Sequence, residues 1–374
     1  MAAGQGAPDA GQERMTCADG AAIARRRDGI ASVDEAFSFD EIIDARSPGE
    51  FAQDHLPGAI NLPVLDDEER ARIGTLHNQV SAFEAKKAGA ALVSRNIAYH
   101  LETALRDKPR NYRPLVYCWR GGNRSGAFAT VLRAIGWNAA QLEGGYKAFR
   151  RHVLADLERL PPSLQFRVIC GRTGVGKSRF LQALKACGAQ VLDLENLAAH
   201  MGSVLGAYPD RPQPPQKLFE TRIWQALGGF DAARPVFLES ESKKIGNLHT
   251  PEALLARMRA APCVNLDADI PVRVALLKAE YAHFLADTPS LFRQLDCLVP
   301  LQGRERIEAW KSLALAGSWD ELVADLLVRH YDPAYGRSLG RNYQQAGGGP
   351  SLTLTSAAPE AIRALAEDFL AASA

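Results

Sequence analysis

Apolar residues along the chain gather in short runs, separated by Gly-, Pro- and charge-rich stretches and by longer segments with helical spacing. Glu41–Ala45 (EIIDA) predicts a short buried strand, and Gly58–Pro63 a second strand entering a turn. Asp66–Asp107 is charged, Ala-rich and helical in character. Leu115–Tyr117 is a brief apolar run between Pro114 and a Gly-rich turn, and Ser125–Ile135 predicts a helix stopped by Gly136. Leu160-Pro-Pro-Ser163 reads as a domain boundary. Beyond it, Phe166–Cys170 predicts a strand, Lys177–Cys187 a helix and Gln190–Leu194 a strand, followed by a Pro-rich loop, Tyr208–Pro215. Val236–Leu238 and Cys263–Leu266 predict further buried strands. Long helical patterns then run over Pro271–Leu285 and Arg304–His330, with a Gly-rich loop at Gly347–Pro350 and an amphipathic helix from Pro359. Strands alternating with helices predict an α/β architecture in both halves. The divisions expected are a flexible tail over 1–33, one domain over 34–159 and a second over 160–374 whose last part is helical. No repeat of fixed period occurs.

Composition adds little to that picture and excludes some classes. With 374 residues, 47% hydrophobic and 23% charged, the chain is neither a disordered polyelectrolyte nor collagen-like. No apolar stretch has the length of a membrane helix, and residues 1–20 lack the apolar core of a signal peptide. Six cysteines are too few for a disulfide scaffold and read as reduced thiols of a cytoplasmic protein; without a Cys-x2-Cys pair, no metal site is expected from them. The net charge of +1 is nearly even between the halves, so any basic surface must be local.

Two segments carry chemistry. In Tyr117-Cys118-Trp119-Arg120-Gly121-Gly122-Asn123-Arg124-Ser125, a cysteine follows a strand and precedes a helix. Backbone amides converge at such a place, the helix N-terminus adds partial positive charge, and Arg120 and Arg124 add two full charges. All three favour the thiolate, the nucleophilic form. Gly121 and Gly122 let the loop curl so that its amides point inward, making a cradle for a tetrahedral oxyanion with Cys118 as the catalytic candidate. The Cys118-x5-Arg124 spacing also suits a cysteine phosphatase, although that reading lacks an acid within the loop for the leaving group.

The second segment, Gly171-Arg172-Thr173-Gly174-Val175-Gly176-Lys177-Ser178, fits G-x-x-x-x-G-K-[ST] between an apolar strand and a helix, the context such a phosphate-binding loop requires. Lys177 can neutralise a terminal phosphate and Ser178 can reach a Mg²⁺ ion. Glu239, at the end of the Val236–Leu238 run, stands where an acid near that metal is expected. The motif specifies a polyphosphate, and nothing in the sequence reads a nucleotide base.

RNA-binding candidates come from charge and aromatic patterning. Lys86 to Arg124 holds nine basic residues, among them Arg106, Lys108, Arg110 and Arg113, against Glu102 and Asp107. The stretch Arg329–Tyr343 interleaves Arg337 and Arg341 with Tyr331, Tyr335 and Tyr343, so rings could stack on unpaired bases while guanidiniums hold phosphates. A merely solvated surface is the alternative for each.

The Asp44–Pro63 segment, the Cys118 loop and Leu142-Glu-Gly-Gly-Tyr-Lys-Ala148 together resemble the rhodanese family of sulfurtransferases. The resemblance implies a rhodanese-like first domain, Cys118 as the carrier of a transferable chalcogen, and structural roles for Asp44, Arg46 and Glu50. Fused to a P-loop NTPase-like domain, and with GTLHNQVSAFEAKKAGAALVSRNIA, FLESESKKIG and HYDPAYGRS in place, the chain from Asp44 to about Ser338 resembles the bacterial tRNA 2-selenouridine synthases. It departs from their pattern at Met201 and Pro215. That resemblance implies an enzyme that converts wobble 2-thiouridine of tRNA to 2-selenouridine in two steps: S-geranylation by geranyl diphosphate, then selenium transfer from selenophosphate. It implies no tightly bound cofactor. The partners implied are tRNA and an enzyme that supplies selenophosphate; none of this calls for a membrane or DNA. The competing readings are a rhodanese-fold phosphatase or sulfurtransferase regulated by a nucleotide-binding domain, and a nucleotide-gated binding module.

Overall fold

The computed structural model describes residues 29–203, 205–336, 343 and 348–373. Two five-stranded sheets, each wholly parallel, form its two halves. The first sheet has the order β1-β5-β4-β2-β3, from β1 (Ile30–Ala31), β2 (Glu41–Asp44), β3 (Ile60–Asn61), β4 (Pro114–Tyr117) and β5 (Ala140–Leu142). The flexible tail expected over 1–33 is corrected at its end: Ile30 and Ala31 pair with Gln141 and Leu142 as an edge strand. Residues 1–28 lie outside the described residues. β4 is buried at all four positions, as a strand covered on both faces must be.

The helical segment after β3 is a hairpin of α2 (Asp67–Gln79) and α3 (Ala82–Glu102); α1 (Pro48–Gln53) precedes it. A capping box of Asp66 and Glu69 starts α2, and Ser81 caps α3. α4 (Asn123–Ile135) follows the Cys118 loop and ends on Gly136, whose φ of 105° leaves the helix as only glycine does at low cost. α5 (Gly145–Arg159) then carries the chain out of the first domain.

The second sheet has the order β12-β11-β6-β8-β7, with β6 (Gln165–Cys170), β7 (Gln190–Val191), β8 (Pro235–Glu239), β11 (Cys263–Ala268) and β12 (Ser351–Leu354). Around it lie α6 (Lys177–Ala186), α7 (Leu194–Ala198), α8 (Gln216–Gly228), the small antiparallel pair β9 (Lys244–Ile245) and β10 (Leu248–His249), α9 (Glu252–Ala260) and α10 (Ile270–Glu280). Three expectations change here. The helical pattern over Pro271–Leu285 breaks at Tyr281 into Ile270–Glu280 and Ala282–Ala286. Gln190–Leu194 shortens to a two-residue strand, because Asp193 accepts from Asn196 N and starts α7. The helical pattern over Arg304–His330 breaks into α14 (Arg304–Leu315) and α15 (Trp319–Leu326), the turn between them containing Gly317 at φ 72°. With α11 (Ala282–Ala286), α12 (Thr288–Asp296) and α13 (Val299–Gln302), these pack around Leu295, Ile307, Trp310 and Leu322 as a helical cap.

The two halves share one hydrophobic core. Tyr146, Phe149, Val153 and Leu157 of α5 belong to the same buried cluster as Phe219, Ile223 and Leu227 of α8 and Leu254 of α9. α5 and α8 run in the same direction: Arg150 meets Lys217 O and the Glu220 carboxylate, and further along Trp224 Nε1 donates to Asp156 at 3.0 Å. Phe149→Ala is therefore expected to lower the free energy of unfolding by about 3–5 kcal/mol, read by urea denaturation. A drop under about 1 kcal/mol would show that the junction does not carry the core described.

Candidate active sites

Cys118 follows the last residue of β4, at the carboxyl end of the first sheet, where open parallel sheets place ligands. It is 3% exposed, and Ser125 Oγ donates to its Sγ at 3.1 Å, a bond that suits a thiolate acceptor. The loop is clamped from the next strand and helix. Gln141 Nε2 donates to Gly121 O (2.5 Å) and Gly122 O (3.1 Å); Tyr146 N and Lys147 N donate to Cys118 O (2.8 Å) and Trp119 O (3.0 Å). This approach is so close that a Cβ on Gly145 would stand 2.2 Å from Cys118 O and 2.4 Å from Gly121 N, at a φ of +57°. Glycine at 145 is thus dictated by both space and backbone. The structural role of Gln141 was not legible in the sequence, since it depends on the neighbouring strand.

Charges beneath and beside the loop are paired. Asp44 and Arg46 form a buried ion pair at 2.6 Å, and the Arg46 guanidinium lies 4.0 Å from the Tyr146 ring centroid and donates to Asp54 O. Arg124 is held by Glu50 at 2.7 Å, which keeps the Glu50 carboxyl below its ordinary value against the opposing effect of burial. Arg120 and Asn123 are exposed at the loop's rim. Asp54 is buried, raising its pKa, and accepts from Tyr146 OH at 2.9 Å.

The phosphate loop opens a cavity of about 540 Å³. Of the eight motif residues, Thr173, Gly174, Gly176, Lys177 and Ser178 line it. The side chains or amides of the other three turn elsewhere: Arg172 to Asp267 (2.9 Å) and Asp332 (3.4 Å), Val175 into the core, and Gly171 N to Tyr335 OH, to which it donates at 2.6 Å. Lys177 Nζ donates to Gly171 O at 2.9 Å across the loop.

Glu239 lies deeper than the cavity wall. It is 1% exposed, its Oε1 accepts from Glu195 N at 2.7 Å, and its Oε2 has no partner. Burial, reinforced by the charges of Glu195, Asp193 and Glu241, pushes its pKa well up. The acid that meets Ser178 is Glu195, whose Oε2 accepts from Ser178 Oγ at 2.5 Å, with Glu241 and Glu280 also in the cavity wall. Burial and the neighbouring Glu195 push Glu241 up to about 8. The cue for Glu195 lay in the Asp193-Leu-Glu195 run just past a strand.

The RNA candidates are dispersed. Arg106, Lys108, Arg110 and Arg113 precede β4 and lie toward its amino end, whereas Cys118 follows its carboxyl end, so the expectation of one basic surface running into the reactive loop is corrected. Glu41 neutralises Lys108 at 2.9 Å. Tyr331 and Tyr335 are part of the phosphate-loop cavity wall and not of an open stacking surface; Arg337 and Arg341 lie outside the described residues.

A cysteine in a Gly-rich strand-to-helix loop, joined through a shared core to a phosphate-binding loop, defines a rhodanese-like domain fused to a P-loop domain. Profile comparison agrees: a rhodanese-like domain matches residues 30–152, and a tRNA 2-selenouridine synthase AAA domain matches residues 164–294. The tRNA 2-selenouridine synthase of Marinobacter nauticus is 34% identical over 324 residues, covering 79% of this chain and 87% of that one. Its counterpart in Alcanivorax borkumensis is 32% identical over 332 residues, covering 80% and 90%. The chain belongs to the tRNA 2-selenouridine synthase family, a family of enzymes, and this membership sets the phosphatase and binding-module readings aside.

Gly145→Ala is expected to lower stability by at least ~2 kcal/mol and to change the rate at which iodoacetamide alkylates Cys118, since the loop must move. Gly136→Ala, at φ 105° but with nothing within 4 Å of the added Cβ, should cost about 1 kcal/mol and leave the alkylation rate unchanged. Thermal melts and thiol labelling of both variants check this contrast.

Proposed function

We propose that this chain replaces the sulfur of wobble 2-thiouridine in tRNA with selenium through an S-geranyl intermediate, each of its two loops serving one step. The observation that carries the reading is a second, apolar cavity of about 70 Å³ that shares Thr173, Leu277, Tyr281 and Tyr331 with the phosphate-loop cavity. Phe284, Leu291, Trp319, Leu322 and Leu326 form much of the rest of its wall. A nucleotide presents a polar base and sugar beside its phosphates, whereas a prenyl diphosphate presents a diphosphate joined to a hydrocarbon chain. The paired cavities favour the second: geranyl diphosphate, its head on the loop and part of its chain among these side chains.

In the first step the thiouridine sulfur attacks C1 of the geranyl group. The C1–O bond breaks, the N3 proton is lost and diphosphate remains on the loop, its charge met by Lys177 and the loop amides. Ser178, Glu195 and Glu241 are hard oxygen donors suited to Mg²⁺, which would neutralise further diphosphate charge. In the second step selenium from selenophosphate bonds to C2 as the C2–S bond breaks. Geranylthiol leaves, and hydrolysis of the P–Se bond releases phosphate. The Cys118 loop offers the oxyanion cradle, and the burial of Cys118 keeps its sulfur from bulk solvent.

The two steps should fail separately. Cys118→Ser exchanges the polarisable sulfur of the oxyanion cradle for a hard oxygen, so S-geranylated tRNA should accumulate and selenouridine fall below about a hundredth of the parental level. Lys177→Ala should abolish geranylation and leave selenation of tRNA already geranylated largely intact. Mass spectrometry of digested nucleosides checks both. Normal selenouridine from the serine variant would remove Cys118 from the reaction, and intact geranylation by the alanine variant would assign the phosphate loop to another ligand.

A further inference from the structure

Two parallel helices join the surroundings of the two loops, and exposed cations occur on and around them. α5 begins against the Cys118 loop, through Lys147 N to Trp119 O. α8, parallel to it, begins beside the β9–β10 pair: Gln216 Nε2 donates to His249 O (2.8 Å), and Gln213 Nε2 to Ile245 O (3.0 Å). That pair in turn follows Glu241 and Ser242 of the phosphate-loop wall. The amino ends of two helices that share a core therefore hold the surroundings of both sites in fixed relation.

Exposed basic residues mark each stage of this path. Arg120 stands on the Cys118 loop; Lys147 and Arg151 lie one helical turn apart on α5; Lys217 is in the first turn of α8 with its carbonyl bonded to Arg150 (3.3 Å); Lys243 and Lys244 lead into the strand whose Lys244 is in register with His249. Among the described residues, Arg120, Lys147, Arg151, Lys217 and Lys244 have no ion pair. Lys243 meets Glu252 at 3.6 Å with both side chains exposed, a contact of little energy. The acids closest to the path are mostly committed: Glu50 to Arg124 and Glu220 to Arg150, leaving Glu143 exposed near the loop. In a chain of net charge +1, six exposed cations joining two reaction sites form a surface for a polyanion long enough to reach both.

We propose that Arg120, Lys147, Arg151, Lys217, Lys243 and Lys244 form one phosphate-binding track that holds a single tRNA backbone across both sites. This rests on the reading of tRNA as the substrate. The track explains how one uridine is served by two loops: the RNA stays on the cations between them while the nucleoside moves from the phosphate-loop cavity to Cys118. It also assigns the RNA surface to residues other than Arg106–Arg113.

The test measures tRNA affinity against salt for the full chain and for the K147A/R151A/K244A variant. Each RNA phosphate that the variant no longer neutralises reduces the slope by about 0.7–0.9, so the slope should fall in magnitude by about 2–3, with affinity at least tenfold weaker. Unmodified and 2-thiouridine tRNA should be affected alike, because backbone binding carries no sequence information. Unchanged alkylation of Cys118 by iodoacetamide, together with an unchanged thermal shift by inorganic diphosphate, would show that both sites remain folded. K147A/R151A and K217A/K244A, made separately, should each weaken binding. If one pair is silent, the RNA does not span the two sites and the track is overturned. A triple variant with the parental slope overturns it too while leaving tRNA as substrate. Failure of the parent itself to bind tRNA would instead overturn the substrate reading.

Discussion

The packing of α5 against α8 is the constraint on which the rest depends. Phe149 and Val153 are buried with Phe219 and Ile223 in one cluster that extends into both sheets, so the halves are not beads joined by a linker. Burying those apolar side chains supplies most of the cohesion. The polar contacts at its edge, Arg150 with Glu220 and Trp224 with Asp156, give the two helices a defined register. Because α5 starts on the Cys118 loop and α8 starts beside the loops around the phosphate cavity, that register sets the position of each site relative to the other. A single core thereby fixes the Cys118 loop and the phosphate loop relative to each other.

Each site solves a different electrostatic problem. Around Cys118, the acids Asp44 and Glu50 are matched by Arg46 and Arg124, and the Ser125 hydroxyl donates to the sulfur. Around the phosphate loop the balance is reversed. Glu195, Glu239 and Glu241 crowd near Lys177, and burial raises the pKa of all three. Burial and mutual repulsion both disfavour three charged carboxylates in this cluster.

How much the sequence reveals follows from what each feature depends on. The phosphate loop and the Cys118 loop were legible because their chemistry lies in consecutive residues: a backbone that must curl, a lysine or a thiol, and a helix start. Features that depend on neighbours across space were not. Gln141 supports the Cys118 loop only because β5 lies beside β4, and Glu195 reaches Ser178 only because α7, which follows the edge strand β7, comes against the start of α6. The strand Ser351–Leu354 is short and half polar, and gains its identity from pairing with Cys263–Ala268. The separation of the basic stretch from the reactive loop has the same origin. Arg113 and Cys118 are five residues apart, yet the extended β4 between them separates their surroundings by roughly 13 Å or more, at about 3.3 Å per residue.

A single-turnover trap experiment tests most directly whether the shared core and the cations between the loops keep one RNA bound through both steps. Radiolabelled 2-thiouridine tRNA is bound to the protein, and geranyl diphosphate and selenophosphate are added together with a large excess of unlabelled S-geranylated tRNA. If the intermediate stays bound, labelled 2-selenouridine should form in nearly the yield reached without the trap. Labelled S-geranyl tRNA accumulating free in solution, with selenouridine formed only from the unlabelled competitor, would contradict this, because the two sites would then act as separate enzymes that share a chain.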